Sequence, residues 1–244
     1  MTIVLRPRAS LFHAKGGWFS ANWHFSFDQY SDEANMGIGD LRVFNDDRLV
    51  PGAAWPMHPH RDIEGITYVA EGTFEHADSR GNGGILHPGA VQRATLGSGM
   101  QHSERNASKT EPMRFIQMWI MPSRRGLDPS IEQREFALES RRNVLKPVLV
   151  PAPGFGDGAP KAGDAVTVHQ DAAVYAAVLD ASKKVRHTFR PGFGGYLFVV
   201  HGSLAQPRLD EGGAAKILEE KALELEAGPT GAEVLLVETR TRPA

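Results

Sequence analysis

Cysteine is absent from all 244 residues. That excludes disulfides, thiolate metal ligands and a cysteine nucleophile, and it makes an intracellular setting the simplest expectation. Long apolar runs are missing as well: a stretch such as 196–200 is of strand length, far below the roughly 20 apolar residues that a membrane helix needs. The opening Met1-Thr2-Ile3-Val4-Leu5-Arg6-Pro7-Arg8 is broken by charge and proline before a signal-type apolar region can form. Nor is there a basic block. Arg124-Arg125 and Arg141-Arg142 are only doublets, and 27 basic against 29 acidic residues leave a formal net charge of −2. Direct nucleic-acid binding therefore lacks an electrostatic basis. A cytoplasmic protein without membrane contact is the expectation.

What remains is the composition of a folded protein, 41% hydrophobic and 23% charged, long enough for one large β domain or two of ordinary size. Short apolar segments recur between clusters of glycine, proline, asparagine and aspartate, which is the pattern of an all-β sandwich or barrel. Strands are predicted at 18–27, 39–44, 65–70, 73–77, 90–95 and 114–121. The polar, proline-marked 122–129 and the mixed 131–142 read as a crossover with a helical turn. A second β series begins near Val148 and continues at 166–169, 172–179, 185–189, 195–200, 223–226 and 233–238. Residues 216–221 read as a short exposed helix or a polar hairpin segment. Tyr68-Val69-Ala70-Glu71-Gly72-Thr73 and Phe198-Val199-Val200-His201-Gly202-Ser203 each run an apolar strand into a glycine, so two barrels from a duplicated module fit.

Four side chains carry the chemistry: His58 and His60 in Met57-His58-Pro59-His60, and His102 and Glu104 in Gln101-His102-Ser103-Glu104. Residues i and i+2 of an extended backbone project to one face, so each cluster aims two donors the same way. One His-x-His is a weak signal, because surface or hydrogen-bonded histidine pairs are common. A His-x-Glu that follows after a glycine-punctuated β segment is harder to explain as an unrelated surface feature. Three neutral imidazoles and a carboxylate leave a divalent ion with residual positive charge, and an octahedral ion keeps two positions for water, dioxygen or substrate. The second β series has no such set. Upstream of Gly202 stand His187, Thr188 and Arg190, and no His-x-Glu follows, so one module is expected to bind metal and the other to pack.

The stretch Gly37-Ile38-Gly39-Asp40-Leu41-Arg42-Val43-Phe44-Asn45-Asp46-Asp47-Arg48, with His58-Pro59-His60-Arg61, Glu71-Gly72, Pro88-Gly89, Val91-Gln92-Arg93 and His102-Ser103-Glu104, carries a family likeness. Gln117, Trp119-Ile120 and Pro129-Ser130-Ile131-Glu132-Gln133 extend it. On these motifs the chain resembles a pirin, a bicupin protein, and in particular the bacterial pirins similar to quercetin 2,3-dioxygenases. The likeness is close over the first 140 residues and one of layout beyond them. It implies an all-β fold of two jelly-roll-type cupin β-barrels with few short helices. Residues 1–140 would form the metal-binding cupin and its crossover, and 141–244 a degenerate cupin.

The resemblance further implies one divalent transition metal held by His58, His60, His102 and Glu104. Fe(II) is the first expectation, with Mn, Co, Ni, Cu or Zn also suited to such donors. Gln92 stands near the place of a histidine that ordinary cupins often carry, and Glu64, near the usual first-motif glutamate, is expected to be structural or to support the ligands. The implied activity is dioxygenation of quercetin or a related flavonol with release of carbon monoxide. Glu104 is the candidate catalytic base for the 3-hydroxyl proton; the competing role, slightly favoured, is that of a fixed anionic ligand. The alternative function is a non-enzymatic, metal-dependent and redox-responsive regulator whose partners are transcription factors or metabolic enzymes. Among the other histidines, His24 is expected to be paired structurally rather than to line the cavity. His13, His76, His87, His169, His187 and His201 read as structural or surface residues, and Phe115, Met118, Trp119 and Met121 as barrel core.

Overall fold

The alternation of apolar and polar residues resolves into strands almost throughout the computed structural model, which describes residues 2–156 and 158–241. In chain order these are β1 (Thr2–Arg6), β2 (Phe12–Lys15), β3 (Phe19–Trp23), β4 (Leu41–Leu49), β5 (Ala54–His60), β6 (Glu64–Glu71), β7 (Phe74–Asp78), β8 (Gly83–Leu86), β9 (Val91–Thr95), β10 (Met100–Asn106), β11 (Met113–Ile120) and β12 (Ser130–Arg134). The second series comprises β13 (Lys146–Pro151), β14 (Val166–Val168), β15 (Ala172–Leu179), β16 (Lys184–Thr188), β17 (Phe193–Gln206), β18 (Leu209–Asp210), β19 (Ala214–Leu218) and β20 (Ala222–Arg240). Helix among the described residues is confined to the 3-10 turns Arg8–Ser10, Glu33–Asn35 and Leu138–Arg141. None of them is long and apolar enough to cross a membrane.

The strands form three sheets. A four-stranded sheet, β5-β10-β7-β8, faces a seven-stranded sheet, β12-β9-β6-β11-β4-β3-β2, and both are drawn from the first strand series. The second series builds a nine-stranded sheet along β1-β19-β17-β20-β15-β13-β14, with β16 on β20 and β18 on β17. The first strand of the chain thus sits in the sheet of the second half, where β1 pairs antiparallel with β19.

Strand β11 shows how sequence parity sets up the interior. Arg114, Ile116, Met118 and Ile120 share one face; the last three join Phe44, Tyr68, Tyr196, Phe198 and Val237 in the largest apolar cluster, which lies between the two halves. Phe115, Gln117 and Trp119 share the other face, where Phe115 packs with Phe74 and Leu86 inside the first barrel. Burying each large aliphatic or aromatic side chain contributes about 1.5–3 kcal/mol, so the seam is held chiefly by this cluster. The counterpart glycines of the internal resemblance also agree: Gly72 and Gly202 take φ of 80° and 73°. A Cβ there would lie 2.5 Å from the Pro112 carbonyl oxygen and 2.2 Å from that of Gly231, so neither position accommodates a side chain.

Several predicted boundaries shift for identifiable reasons. The strand expected to end at 44 runs on to Leu49 through Asn45-Asp46-Asp47-Arg48, because Asp46 and Arg48, on one face of it, meet the charged partners Arg114 and Glu71. Residues 130–134, expected within the crossover, add a strand to β9, while the expected helical turn is the one at Leu138–Arg141. The segment 216–221 is neither a short exposed helix nor a polar hairpin segment, because its first three residues belong to β19, residues 214–218. β19 is a strand between β1 and β17, since Ala214, Ala215 and Ile217 are buried.

The seam also contains a buried ion pair. Arg114, 1% exposed, makes two hydrogen bonds to the Asp46 carboxylate at 2.7 and 3.0 Å and donates to the Val200 carbonyl at 2.7 Å. Removing one member of such a pair strands the other charge in the interior. Arg114→Met is therefore expected to lower the unfolding free energy by about 3–5 kcal/mol, measured by chemical denaturation. A loss below about 1 kcal/mol, the scale of an exposed pair, would show that this contact does not hold the halves together.

Candidate metal centre

The two histidine-bearing clusters become neighbours because β5 pairs antiparallel with β10 and places His58 directly opposite His102. His60 lies opposite Met100 on the same ladder. The register then slips: Glu104 is opposite Trp55, so two steps along β10 match three along β5. Pro56 and Met57 lie in this bulge, a place where a proline without N–H is tolerated and where strands commonly re-aim a side chain. The freed Pro56 carbonyl accepts a hydrogen bond from His58 Nδ1 at 2.7 Å. That bond fixes the tautomer and leaves the Nε2 lone pair for a ligand role.

One ring nitrogen from each of His58, His60 and His102 lies within 4.8 Å of the others, the group among the described residues able to hold a metal. Ring centroids are 4.6 Å apart for His58 and His102, 4.8 Å for His58 and His60, and 5.4 Å for His60 and His102. Burial, reinforced by the neighbouring imidazoles, lowers His102 to about 3; burial and His58 lower His60 to about 4. Both are therefore neutral at pH 7, as metal ligation requires. His102 Nε2 is buried and carries no hydrogen bond. Such an atom is unfavourable in a dry interior and favourable beside a cation, so the donors present fit a transition metal.

Glu104 follows His102 on the inward face of β10, where Met100, His102, Glu104 and Asn106 are all buried. It is not a member of the three-imidazole group. Its Oε1 accepts a hydrogen bond from Gln117 Nε2 at 2.8 Å, and Gln117 Oε1 in turn accepts from Thr67 Oγ1 at 2.8 Å. Burial pushes the Glu104 carboxyl up to about 7, opposed by the Gln117 bond. Asp47, inside the same barrel, is pushed well above the usual carboxylate range by burial and then by the charges of Glu104 and Asp46.

A cleft of about 630 Å³ opens beside the imidazoles, lined by His60, Arg61, Ile63, Ser79, Ser98 and Met100 among others. Trp119 borders His60, with ring centroids 4.8 Å apart and planes at 69°. The expectation that Trp119 and Met121 belong to the core is corrected. Trp119 sits on the barrel-facing side of β11 next to His60, and Met121, just past the strand end, is 37% exposed. Phe115 and Met118 are fully buried as expected.

The remaining sequence candidates are elsewhere. Fully buried Glu64 accepts from Thr95 at 3.1 Å and pairs with His169 Nδ1 at 3.3 Å in the seam, which makes it a structural group. His24 bonds the Tyr196 hydroxyl through Nδ1 at 2.7 Å, also in the seam. His76 pairs with Gln133 and His187 with Glu238, at 2.9 and 2.6 Å. Thr67 and Asp47 were not recognised as site residues from sequence. The signal was one of parity: Gln117 and Trp119 alternate with Ile116, Met118 and Ile120, which marks the side of β11 that faces a partly polar interior.

Two family models match the chain, Pirin over residues 5–120 and the quercetinase C-terminal cupin domain over residues 158–239. A quercetin 2,3-dioxygenase of Escherichia coli K12 is 37% identical over 96% of this chain and 97% of its own length. The chain belongs to the pirin family. A pirin-like protein of Caulobacter vibrioides is 36% identical, with 96% and 97% covered. Among solved structures, the bacterial pirin YhhW of Escherichia coli in complex with nickel(II) superposes with a TM-score of 0.88 at 34% identity, covering 99% of this pirin and all of that chain. The bicupin architecture expected from the sequence is therefore the one adopted.

The site makes a pH-dependent prediction. In metal-free protein the folded state holds the Glu104 proton up to about pH 7, against 4.5 for the free side chain. Stability from this group is present below pH 4.5 and is lost as pH rises to 7, whereas the lowered histidines act oppositely, below 6.5. Metal-free Glu104→Gln, which is permanently neutral, is expected to match the native protein at pH 4 and to exceed it at pH 8 by about 3 kcal/mol. Denaturant titrations at the two pH values check this; equal stability at pH 8 would contradict a buried, proton-holding Glu104.

Proposed function

We propose that this pirin is a metal-dependent dioxygenase that opens quercetin or a related flavonol with dioxygen and releases carbon monoxide. The single observation that carries the reading is the convergence of three imidazoles, one with a buried unpartnered nitrogen, beside a carboxylate and an open cleft. The relatives named quercetin 2,3-dioxygenase support the substrate class, and the nickel(II) complex of a related pirin supports a resident metal. Fold alone would not, since one fold hosts many chemistries.

His58, His60 and His102 would hold the ion, with Glu104 as the fourth donor. Bound there, a divalent transition metal, Fe(II) first among the candidates, would acidify a coordinated hydroxyl and provide a centre at which dioxygen can react. The chain supplies the rest. Glu104, raised to about 7, suits a base that removes the flavonol 3-hydroxyl proton near neutral pH. Gln117 occupies its Oε1, so ligation and proton transfer fall to Oε2, and Thr67 prevents the Gln117 amide from turning over. The cleft walls give a flat polyphenol both polar and apolar contacts: Ser79 and Arg61 can meet hydroxyl groups while Ile63 and Met100 pack against rings.

Metal analysis of the purified protein should find about one divalent ion per chain, lost in His58→Ala, His60→Ala or His102→Ala with the β fold kept. His187→Ala, in the second barrel, should leave it unchanged. With quercetin the metal-loaded protein should consume oxygen and release carbon monoxide, and Glu104→Gln should keep most of its metal while turnover falls on the order of a hundredfold. No turnover with Fe, Mn, Co, Ni or Cu would favour a metal-dependent protein-binding regulator instead. Full activity of metal-saturated Glu104→Gln would leave Glu104 as a ligand only.

A further inference from the structure

A continuous row of aromatic rings leads away from the metal centre. From His60 it passes to Trp119 at 4.8 Å, to Phe27 at 5.3 Å, to Trp23 at 5.2 Å, to Phe12 at 5.3 Å and to Tyr30 at 4.8 Å between ring centroids. The first three contacts are edge-on and the last two stacked, geometries that aromatic pairs favour and that bring their π systems together. Trp23 is 4% exposed, whereas Tyr30 is the one tyrosine of four that is not buried. Its hydroxyl donates to Asp32 Oδ2 at 3.1 Å, so a carboxylate stands ready for the phenolic proton at the solvent end of the row.

Plain apolar packing would be served by any close-fitting side chains. This row instead spaces indole, indole and phenol, the non-sulfur side chains most easily oxidised by one electron, with a phenylalanine bridge between each pair. The absence of cysteine means that no thiol anywhere in the chain competes for an oxidising equivalent. Trp18 and Trp55 make a separate cluster with each other and Phe19, at 4.5 to 5.0 Å, and serve as an internal control.

We infer that Trp119, Trp23 and Tyr30 form a hole-transfer chain that carries an oxidising equivalent from the three-imidazole centre to the protein surface when oxygen chemistry proceeds without substrate. The inference rests on the metal-binding reading of His58, His60 and His102. With hydrogen peroxide as oxidant, cleavage of its O–O bond to two waters takes two electrons. One comes from the divalent ion, which becomes trivalent; the other comes from Tyr30 through Trp23 and Trp119. The Tyr30 O–H bond breaks, its proton passes to Asp32, and two protons from solvent complete the waters. The resulting neutral tyrosyl radical lies at the surface, where a soluble thiol or other one-electron reductant restores it by giving back an electron and a proton. The ligand histidines are thereby spared.

The test uses full-length protein loaded anaerobically with Fe(II), its metal content measured, then mixed with hydrogen peroxide without flavonol. Freeze-quench electron paramagnetic resonance should show a tyrosyl radical, and spin-trap adducts mapped by mass spectrometry should lie at Tyr30. Trp119→Phe and Trp23→Phe should keep their iron and lose the Tyr30 adduct, with oxidation appearing instead on the ligand histidines. Trp18→Phe should retain the adduct, and Tyr30→Phe should abolish the tyrosyl signal. An undiminished Tyr30 adduct in both interrupted variants, or equal labelling of native protein without iron, would overturn the inference while leaving the metal reading intact. Failure of the native protein to take up Fe(II) would overturn the inference, and refusal of Mn, Co, Ni, Cu and Zn as well would overturn the metal reading.

Discussion

The antiparallel pairing of β5 with β10 is the constraint on which the rest depends. Because His58 faces His102 across this ladder and His60 is two residues along, three imidazoles meet without any long side chain having to reach. The bulge at Pro56 and Met57 adds what a regular ladder could not. It frees a carbonyl that fixes the His58 tautomer, and it shifts Glu104 out of register with the histidine pair. A one-residue slip would turn these imidazoles to the opposite face, so register and the grouping of the donors are inseparable here.

The same barrel accepts a group of polar residues that stability alone would disfavour. Glu104 and Asp47 are both buried carboxyls with raised proton affinity, and His102 keeps an unpaired nitrogen. Each costs free energy in a dry interior. In the second barrel the corresponding space is filled by an apolar cluster around Leu197, Leu225, Val234 and Leu236, and its one buried histidine, His187, is satisfied by Glu238. The contrast follows from the two strand series: the first barrel gathers imidazoles and raised carboxyls where the second packs apolar side chains, as expected when a site, rather than a core, is being built. The second half offsets this by the apolar seam it forms with the first.

The all-β class, the two series and the clustered histidines were legible because each rests on a local pattern, either period-2 alternation or a donor spacing of two. Which strands pair was not local, so the histidine pairing across β5 and β10 and the bulge that orients His58 could not be read. The extension of β4 through Asn45-Asp46-Asp47-Arg48 was hidden because a charged run ordinarily marks a loop, and here its partners, such as Arg114, lie far along the chain. Trp119 was misplaced for a related reason: composition reads a tryptophan in an apolar strand as core, while its parity with Gln117 assigns it to the site. Glu104 stood out in the sequence as a candidate donor, but its Gln117 and Thr67 supports became visible only once β6 and β11 were paired and faced β10 from the opposite sheet.

The central claim, that one ion is held between β5 and β10, is tested most directly by anomalous diffraction from crystals of the metal-loaded protein. The account expects one peak, with nitrogens of His58, His60 and His102 and an oxygen of Glu104 at about 2.0–2.2 Å. A peak on other residues, or none at these histidines, would contradict it. So would an ion held by the imidazoles with both Glu104 oxygens turned away.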